Sequence, residues 1–127
     1  MDIRTHHRID PELCGKPTTL EAGRCRIALT TRARMAADEK GLVHGGFIFG
    51  LADYAAMLAV NDPHVVLGAA QVKFLKPVRT GENLEAEATV DTVEGKKHVV
   101  NVAVTRGREA VFQGTFTCFV LDRHVLD

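Results

Sequence analysis

The sequence carries no net charge, no paired cysteines and no apolar leader, and each absence excludes a class of protein. Its 16 basic and 16 acidic residues cancel, so no overall field favours nucleic acid or an anionic membrane. Cys14, Cys25 and Cys118 are odd in number and contain no C-x-x-C pair, which argues against a disulfide framework or a metal site. The stretch from Met1 to Asp10 lacks the apolar segment of a secretory signal. We therefore expect a cytoplasmic protein that binds no metal, no nucleic acid and no membrane.

Internal repeats and low-complexity tracts are also missing, and a length of 127 residues suits one domain with its own core. Pro11, Gly15 and Pro17 interrupt any periodicity near the N-terminus. They predict an irregular or partly helical lead-in over residues 1–20. We expect a single domain over residues 1–127.

The most apolar part of the sequence, residues 45–60, predicts a helix that is buried on most of its faces. Asn61-Asp62-Pro63 then ends the helix, since Asn suits a helix C-terminus and a residue before proline avoids the α region. From Leu42 to Val60 the segment approaches the length of a membrane span. A central Asp53 would cost about 2.5 to 3.5 kcal/mol in a bilayer, so a core helix is the better interpretation.

Alternating apolar and polar residues predict one strand before this helix and four after it. The strands are expected at Arg24–Leu29, Val65–Lys76, Leu84–Asp91, Val99–Thr105 and Ala110–Leu121. The three later connections are too short for parallel crossovers, which makes the sheet antiparallel. A helix of about 16 residues is roughly 24 Å long, and a curved sheet of about five strands can wrap it. The sequence therefore predicts an α+β fold with one central helix enclosed by the sheet.

Asp53 is the one charged side chain of the apolar helix. Burying an unpaired carboxylate costs several kcal/mol or more, so it must be paired, protonated, in a wet crevice or in use. A structural interpretation, in which an unseen partner satisfies Asp53, stands beside a functional one. A carboxylate in an apolar crevice is more basic than usual, which suits a general base or a nucleophile.

Residues 44–53 read His-Gly-Gly, six further residues and Asp, and they resemble the H-G-G-x6-D signature of the hot-dog acyl-CoA thioesterases. The resemblance is to the phenylacetic-acid-degradation type in particular. Residues 74–82 resemble the strand end and turn that follow in that family, and the resemblance covers about residues 24–121. It implies the hot-dog fold, with the helix as the sausage and the sheet as the bun.

The same resemblance implies a role for each residue of the motif. Asp53 would be the general base or nucleophile, Gly45 or Gly46 would supply an oxyanion-hole amide, and His44 would orient or contact the substrate. Independently of the family, a helix N-terminus presents unpaired amides and the positive end of the helix dipole. Both suit a thioester oxygen that becomes negative in the transition state.

An acyl-CoA thioesterase that uses no cofactor is therefore the leading hypothesis. Lys76 and Arg79, at the strand end and turn after the helix, are candidates for binding the CoA phosphates. The alternative is a non-catalytic hot-dog module that binds acyl-CoA as a sensor or partner, because fold alone does not fix function. A third hypothesis, a hydratase, is prompted by the cluster Asn61-Asp62-Pro63-His64 and is the least favoured.

Helix geometry predicts that the site is shared between subunits. Gly46 and Asp53 are seven residues apart, or about 10 Å along the helix, further than one carbonyl group can bridge. Two antiparallel helices across a two-fold axis would place each Asp53 opposite the other chain's glycines. Open sheet edges also favour a dimer with a continuous sheet, and dimers could pair into a tetramer.

Two departures from the family pattern concern the positioning of water. The strand after the helix begins Val66-Leu67-Gly68-Ala69-Ala70, without the Ser or Thr hydroxyl that many relatives place there. The loop before the helix has Asp38 and Glu39 where relatives often have an amide side chain, and an ionised carboxylate cannot donate a hydrogen bond.

Overall fold

A computed structural model describes all residues, 1–127, as two helices of very different length and six strands. The helices are α1 (Pro11–Cys14) and α2 (Gly45–Val60), and a short 3-10 turn occupies Ala33–Met35. The strands are β1 (Lys16–Glu21), β2 (Arg24–Thr30), β3 (Val65–Phe74), β4 (Asn83–Glu94), β5 (Lys97–Arg106) and β6 (Glu109–Val120).

One sheet contains all six strands in the order β1-β2-β4-β5-β6-β3, and every neighbouring pair is antiparallel. α2 packs across one face of this sheet and supplies nine of its own 16 residues to the buried set. The core joins them to the inward positions of the strands, among which Ile27, Val100, Phe112 and Phe116 are completely buried. The predicted α+β architecture, with one long helix held by an antiparallel sheet, is confirmed.

The sheet has six strands and not the five expected, because β1 lies in the segment assigned to the irregular lead-in. Pro17 suggested a loop, yet β1 is an edge strand that pairs with β2 alone, and an edge tolerates proline. Gly15 also has a definite structural role there. Its φ is +92°, and a Cβ atom would lie 2.6 Å from Ile27 Cγ2, so the close approach of the chain to the core requires glycine.

α1 begins in the manner expected of a short helix. The Asp10 side chain accepts a hydrogen bond from the Glu12 amide at 2.8 Å, and Pro11 occupies the first helical position. Neither helix combines the length and the apolarity that a membrane span requires.

The two edges of the sheet differ in how they are protected. β1 is six residues long and carries Pro17 and the charged residues Lys16 and Glu21. β3 is ten residues long, and Lys73 is its one charged residue. Long, apolar, unpaired edges invite pairing with another strand, whereas proline and charge discourage it. β3 is therefore the less protected of the two edges.

Candidate functional site

Asp53 lies on α2 between buried apolar neighbours, with its side chain half-buried. Its Oδ1 atom is buried and has no hydrogen-bond partner in the subunit. Burial alone raises the pKa of Asp53 from 3.8 to about 6. Its charge also helps to raise the pKa of Cys14 and of Cys118, so the carboxylate lies near both thiols. No cationic partner stabilises it, and within the subunit the structural interpretation of this residue finds no support.

Asp53 shares a stripe of α2 with two glycines. Gly46, Gly50 and Asp53 are spaced by four and three residues, which places them on one helical face. This is the face of α2 that is not covered by the sheet, since Gly46 is exposed and Gly50 and Asp53 are partly exposed. A Cβ atom at Gly50 would meet nothing within 4 Å. The stripe thus provides room for close approach by a substrate or by a second helix.

The loop before α2 is anchored so that it presents the start of the helix to solvent. Met35 is completely buried, and its carbonyl accepts the His44 amide at 3.0 Å. The Val43 amide donates to the Val78 carbonyl at 2.8 Å. These bonds tie the loop to the core on both sides and fix where the first turn of α2 begins.

The first turn of α2 is left without a cap. His44 occupies the N-cap position but makes no side-chain capping hydrogen bond, and the amides of Gly45 and Gly46 donate no hydrogen bond within the subunit. The Phe47 amide is the first to be satisfied, by the His44 carbonyl at 3.0 Å. Two unpaired donors at the positive end of a 16-residue helix can bind a developing negative charge.

The His44 side chain lies directly over this turn. It is exposed, and a Cβ atom at Gly46 would lie 3.1 Å from its Cδ2 atom and 3.3 Å from Nε2. The imidazole therefore stands beside the free amides, within reach of any group they bind. His44 and the two glycines therefore lie next to one another at the start of α2.

An apolar cleft of about 310 Å³ opens beside the start of the helix. Gly45, Phe74 and Leu75 line it, and Lys76 lies at its wall. Phe74 and Leu75 are large apolar side chains that remain 54% and 39% exposed, and a Cβ atom at Gly45 would lie 3.0 Å from the Phe74 ring. An exposed apolar wall against free amides suits an acyl chain or a pantetheine arm. Sequence reasoning missed Phe74 and Leu75, although two large apolar residues immediately before Lys-Pro were a usable signal.

A second cleft, of about 580 Å³, is polar and shares Leu42 and Pro77 with the first. Arg79 lines it together with Lys40 and Arg106. Arg106 is occupied, since it bonds to the Pro77 carbonyl at 2.7 Å and pairs with Glu82 and Glu109. Arg79 and Lys40 make no ion pair. Lys76 and Arg79 thus border adjoining clefts, and the structure brings them to the same side as the helix start.

The two departures from the family pattern have local explanations. Asp38 closes its own turn, because its Oδ1 atom accepts the Lys40 amide at 2.9 Å and the Leu42 amide at 3.2 Å. In β3 a bulge falls between Leu67 and Ala69, at Gly68, where a Cβ atom would lie 2.4 Å from the Phe119 ring. A Ser or Thr side chain could not be placed at Gly68 without moving that ring.

The cluster Asn61-Asp62-Pro63-His64 has a structural explanation. Asn61 adopts the left-handed conformation (φ 53°) that ends α2, and its amide bonds to the Met57 carbonyl. Its buried side chain accepts the Arg4 amide and donates to the Asp2 carbonyl, both at 2.8 Å. Asn61 therefore holds the N-terminal arm, residues 1–9, across the end of the helix. Sequence reasoning missed this role.

Gly46 and Asp53 are not brought together within the subunit. They lie two turns apart on one straight helix, about 10 Å along its axis. A single subunit thus presents each half of the predicted constellation separately.

Solved structures of other proteins share the fold of this chain. A crystal structure of a Pyrococcus horikoshii protein is 53% identical and superposes with a TM-score of 0.99 over 100% of this chain and 98% of the other. The phenylacetic acid degradation protein of Thermus thermophilus, solved in a mutant form, is 30% identical, with a TM-score of 0.79 over 86% of this chain and 95% of that one.

Curated relatives are longer proteins, of which the chain spans only a part. A methylthioribose-1-phosphate isomerase of Aquifex aeolicus is 53% identical over 123 residues, which is 96% of this chain but 27% of that protein. The transcription factor FapR of Caldanaerobacter subterraneus is 28% identical over 116 residues, or 91% of this chain and 58% of that one.

The family model of the thioesterase superfamily matches residues 40–112. That range is more than half of the chain, and it includes the helix start, Asp53 and the whole lining of the apolar cleft. The chain belongs to the thioesterase superfamily, in its hot-dog branch of the phenylacetic-acid-degradation type.

Proposed function

We propose that this protein is an acyl-CoA thioesterase whose site forms between two subunits. One observation carries the proposal: Asp53, a half-buried carboxylate whose buried Oδ1 atom has no partner, shares a helix stripe with an uncapped N-terminus whose Gly45 and Gly46 amides are free. Each half lacks a partner in the subunit, and together they supply the oxyanion donors and the base that thioester hydrolysis requires. Membership of the thioesterase superfamily supports the reaction class.

The position of β3 supports the way the two halves would meet. Antiparallel pairing of β3 with β3 of a second copy would extend the sheet and cover its unguarded edge. The same two-fold axis would lay the two α2 helices antiparallel, with Asp53 of one beside the first turn of the other. The amide donors and the carboxylate would then face one carbonyl group.

Packing within the subunit supports a single axis for both contacts. Phe49 and Gly50 lie midway between Gly46 and Asp53 on α2. The Phe49 ring packs on Phe116 with centroids 5.5 Å apart, and Phe116 is the ladder partner of Ala70 near the centre of β3. The midpoint of the helix stripe and the midpoint of the edge strand therefore lie at the same level of the molecule.

Chemistry at such a site needs only water and the groups that the two subunits supply. Asp53 takes a proton from water, whose oxygen adds to the thioester carbon while the Gly45 or Gly46 amide stabilises the oxygen that becomes negative. Collapse of this intermediate breaks the C–S bond. The departing thiolate takes the proton that Asp53 removed from water and leaves as the free thiol. Direct attack by Asp53 would instead form a mixed anhydride that water hydrolyses. His44, beside the amides, orients the thioester.

The clefts suggest the substrate class. The apolar cleft of Gly45, Phe74 and Leu75 suits an acyl or pantetheine chain, and Lys76 and Arg79 lie where phosphates would follow. An acyl-CoA contains all of these parts.

The direct experiment follows thiol release from a panel of acyl-CoAs, and subunit mixing then tests whether the site is shared. Asp53→Asn and Gly45→Pro homodimers should each be nearly inactive. Random exchange makes half of the dimers mixed, and each mixed dimer has one intact site out of two, so activity should return to about a quarter of wild type. Mixing that restores nothing would show that both groups act within one chain.

A binding module without turnover is the second candidate. The similarity to the transcription factor FapR favours it, as does the absence of a hydroxyl from the first half of β3. This candidate predicts tight binding of acyl-CoA without thiol release, and binding that Asp53→Asn leaves intact.

A further inference from the structure

A third cavity lies at the C-terminal end of α2. Its volume is about 380 Å³. It is bounded by the N-terminal arm, the turn after α2 and the C-terminal tail, residues 121–127. The polar side chains that line it are those of Thr5, His6, His7, Arg8, His64 and His124. No carboxylate lines it.

Hydrogen bonds determine which ring nitrogen carries the proton in two of the imidazoles. His124 Nδ1 accepts the Leu126 amide at 3.0 Å, so its proton is on Nε2, which is a donor. His64 Nδ1 lies 3.2 Å from the Leu121 carbonyl and must donate to it. Its Nε2 atom has no hydrogen-bond partner in the subunit.

Arg8 adds a permanent positive charge to the same wall. Its guanidinium makes no ion pair and no side-chain hydrogen bond in the subunit, whereas Arg24, Arg26, Arg32, Arg34 and Arg106 all pair with carboxylates. No three His, Cys, Asp or Glu side chains of the chain are grouped to hold a metal ion. A cavity rich in donors and poor in acceptors is suited to an anion.

The arm that carries these residues is preorganised. Asn61 holds the backbone of Asp2 and Arg4, and Thr5 is 5% exposed, with its hydroxyl 2.8 Å from His6 Nδ1. His6 has a positive φ of 56°, which turns the chain back toward Tyr54, whose ring lies 6.4 Å from the imidazole. The backbone of the arm is thus fixed against the end of α2, and the Arg8 and His124 side chains at the cavity remain exposed to solvent.

Distance relates the cavity to the composite site. Asn61 follows Asp53 by eight residues, or about 12 Å along α2. A pantetheine arm is about as long as four or five residues of extended chain, roughly 15 Å. In the antiparallel pairing of β3, the start of the strand at Val65, which lines the cavity, would lie beside the end of the partner's β3. The cavity would therefore border the apolar cleft of the second subunit.

We propose that the cavity between the N-terminal arm and the C-terminal tail binds phosphoryl groups of CoA in addition to those near Lys76 and Arg79, with Arg8 and the Nε2 atom of His124 as donors. The inference rests on the proposed function for the placement of the thioester. Arg8 is the main determinant, because a guanidinium binds phosphate with two parallel hydrogen bonds.

Titration calorimetry on the purified full chain tests this assignment with CoA, pantetheine and inorganic phosphate as separate ligands. Wild type should bind CoA more tightly than pantetheine. Arg8→Gln should weaken CoA binding about tenfold or more and should leave pantetheine affinity little changed. Arg108→Gln is the matched control, because Arg108 is exposed in the turn between β5 and β6, forms no ion pair and lies outside the cavity. It should leave CoA affinity unchanged.

Each other outcome has a definite meaning. Equal CoA affinity in wild type and Arg8→Gln, or equal affinity of wild type for CoA and pantetheine, would overturn the site. Tighter binding of inorganic phosphate than of CoA would assign the cavity to free phosphate. An Arg8→Gln protein that sediments as a monomer would make the cavity part of the subunit interface. Arg8-dependent CoA binding without hydrolysis would refute the thioesterase proposal and leave the phosphate site standing.

Discussion

The two ends of α2 differ in how completely their backbone groups are satisfied. At the C-terminal end, Asn61 adopts the left-handed conformation, returns its amide to Met57 and bonds the N-terminal arm with both side-chain polar atoms. At the N-terminal end, His44 caps nothing and two glycine amides have no acceptor. One end of the helix is therefore tied down, and the other is kept available for a ligand.

The difference indicates where the fold gives up stability. An N-cap side chain would contribute about 1 kcal/mol, yet His44 supplies none. Asp53 adds a second unsatisfied group on the same face, since its buried Oδ1 atom has no donor. Sites that break local rules without compensation in the subunit are where function is expected. Substitutions at each end of α2 therefore test whether one end serves the reaction and the other serves stability.

The largest effect is expected for Asp53→Asn. The substitution keeps the shape and removes the base, so turnover of acyl-CoA should fall by roughly two to four orders of magnitude while binding survives. Steady-state thiol release and calorimetric CoA binding, measured on one preparation, separate the two properties. Wild-type kcat/KM should also rise with pH through about 6 and then level off, because the carboxylate form is the base.

A structural Asp53 would behave otherwise. Its loss would lower the melting temperature and leave activity per folded molecule nearly unchanged. Full activity in a well-folded Asp53→Asn protein would remove the residue from the chemistry.

The open end is probed by Gly45→Pro beside Gly45→Ala. Proline is tolerated at the first helical position, and His44 already has the extended conformation (φ −62°, ψ 133°) that a residue before proline adopts. Both variants add bulk toward the Phe74 ring, but only proline removes the amide. If that amide binds the oxyanion, Gly45→Pro should lose about two to three further orders of magnitude in kcat compared with Gly45→Ala. Equal rates would transfer the role to Gly46.

At the closed end, Asn61→Ala should affect stability and not chemistry. It forces alanine into a left-handed conformation and deletes two hydrogen bonds, with an expected cost of about 2 to 3 kcal/mol in the free energy of unfolding. Asn61→Gly keeps the conformation accessible and should lose about half as much. Urea unfolding gives these values, and kcat should stay near wild type. A large fall in kcat at unchanged stability would contradict the division between the two ends.

Local pattern was sufficient to locate the helix, the motif and the lone carboxylate. The apolar run of residues 45–60 and its Asn-Asp-Pro stop matched α2 to the residue, because both signals are local. β1 was missed because Pro17 is disfavoured in a central strand and tolerated at an edge, and edge position is a property of the whole sheet.

Contacts between distant parts of the chain could not be predicted. Asn61 bonds to residues 57 and 59 positions away, and the cavity of Arg8 unites both chain ends with the turn after α2. Neither has a periodic signature. The pairing of Asp53 with the glycines of another subunit was inferred from helix geometry alone. Two groups seven residues apart on one helix are too far apart to act on the same carbonyl group.

The smallest expected effect concerns the stability that Asp53 costs. Burial raises the pKa of Asp53 to about 6 from 3.8, so the folded state binds this proton more tightly than the unfolded chain. The corresponding stabilisation is present below pH about 4 and is lost as the pH rises through about 6. Asparagine cannot ionise. The difference in melting temperature, Asp53→Asn minus wild type, should therefore increase between pH 4 and pH 7 and stay constant above that range. Other titrating groups are common to both proteins and cancel in the difference. Parallel melting curves over the whole range would mean that the carboxylate is already stabilised when ionised, and the contrast between a satisfied and an unsatisfied end of α2 would then not extend to Asp53.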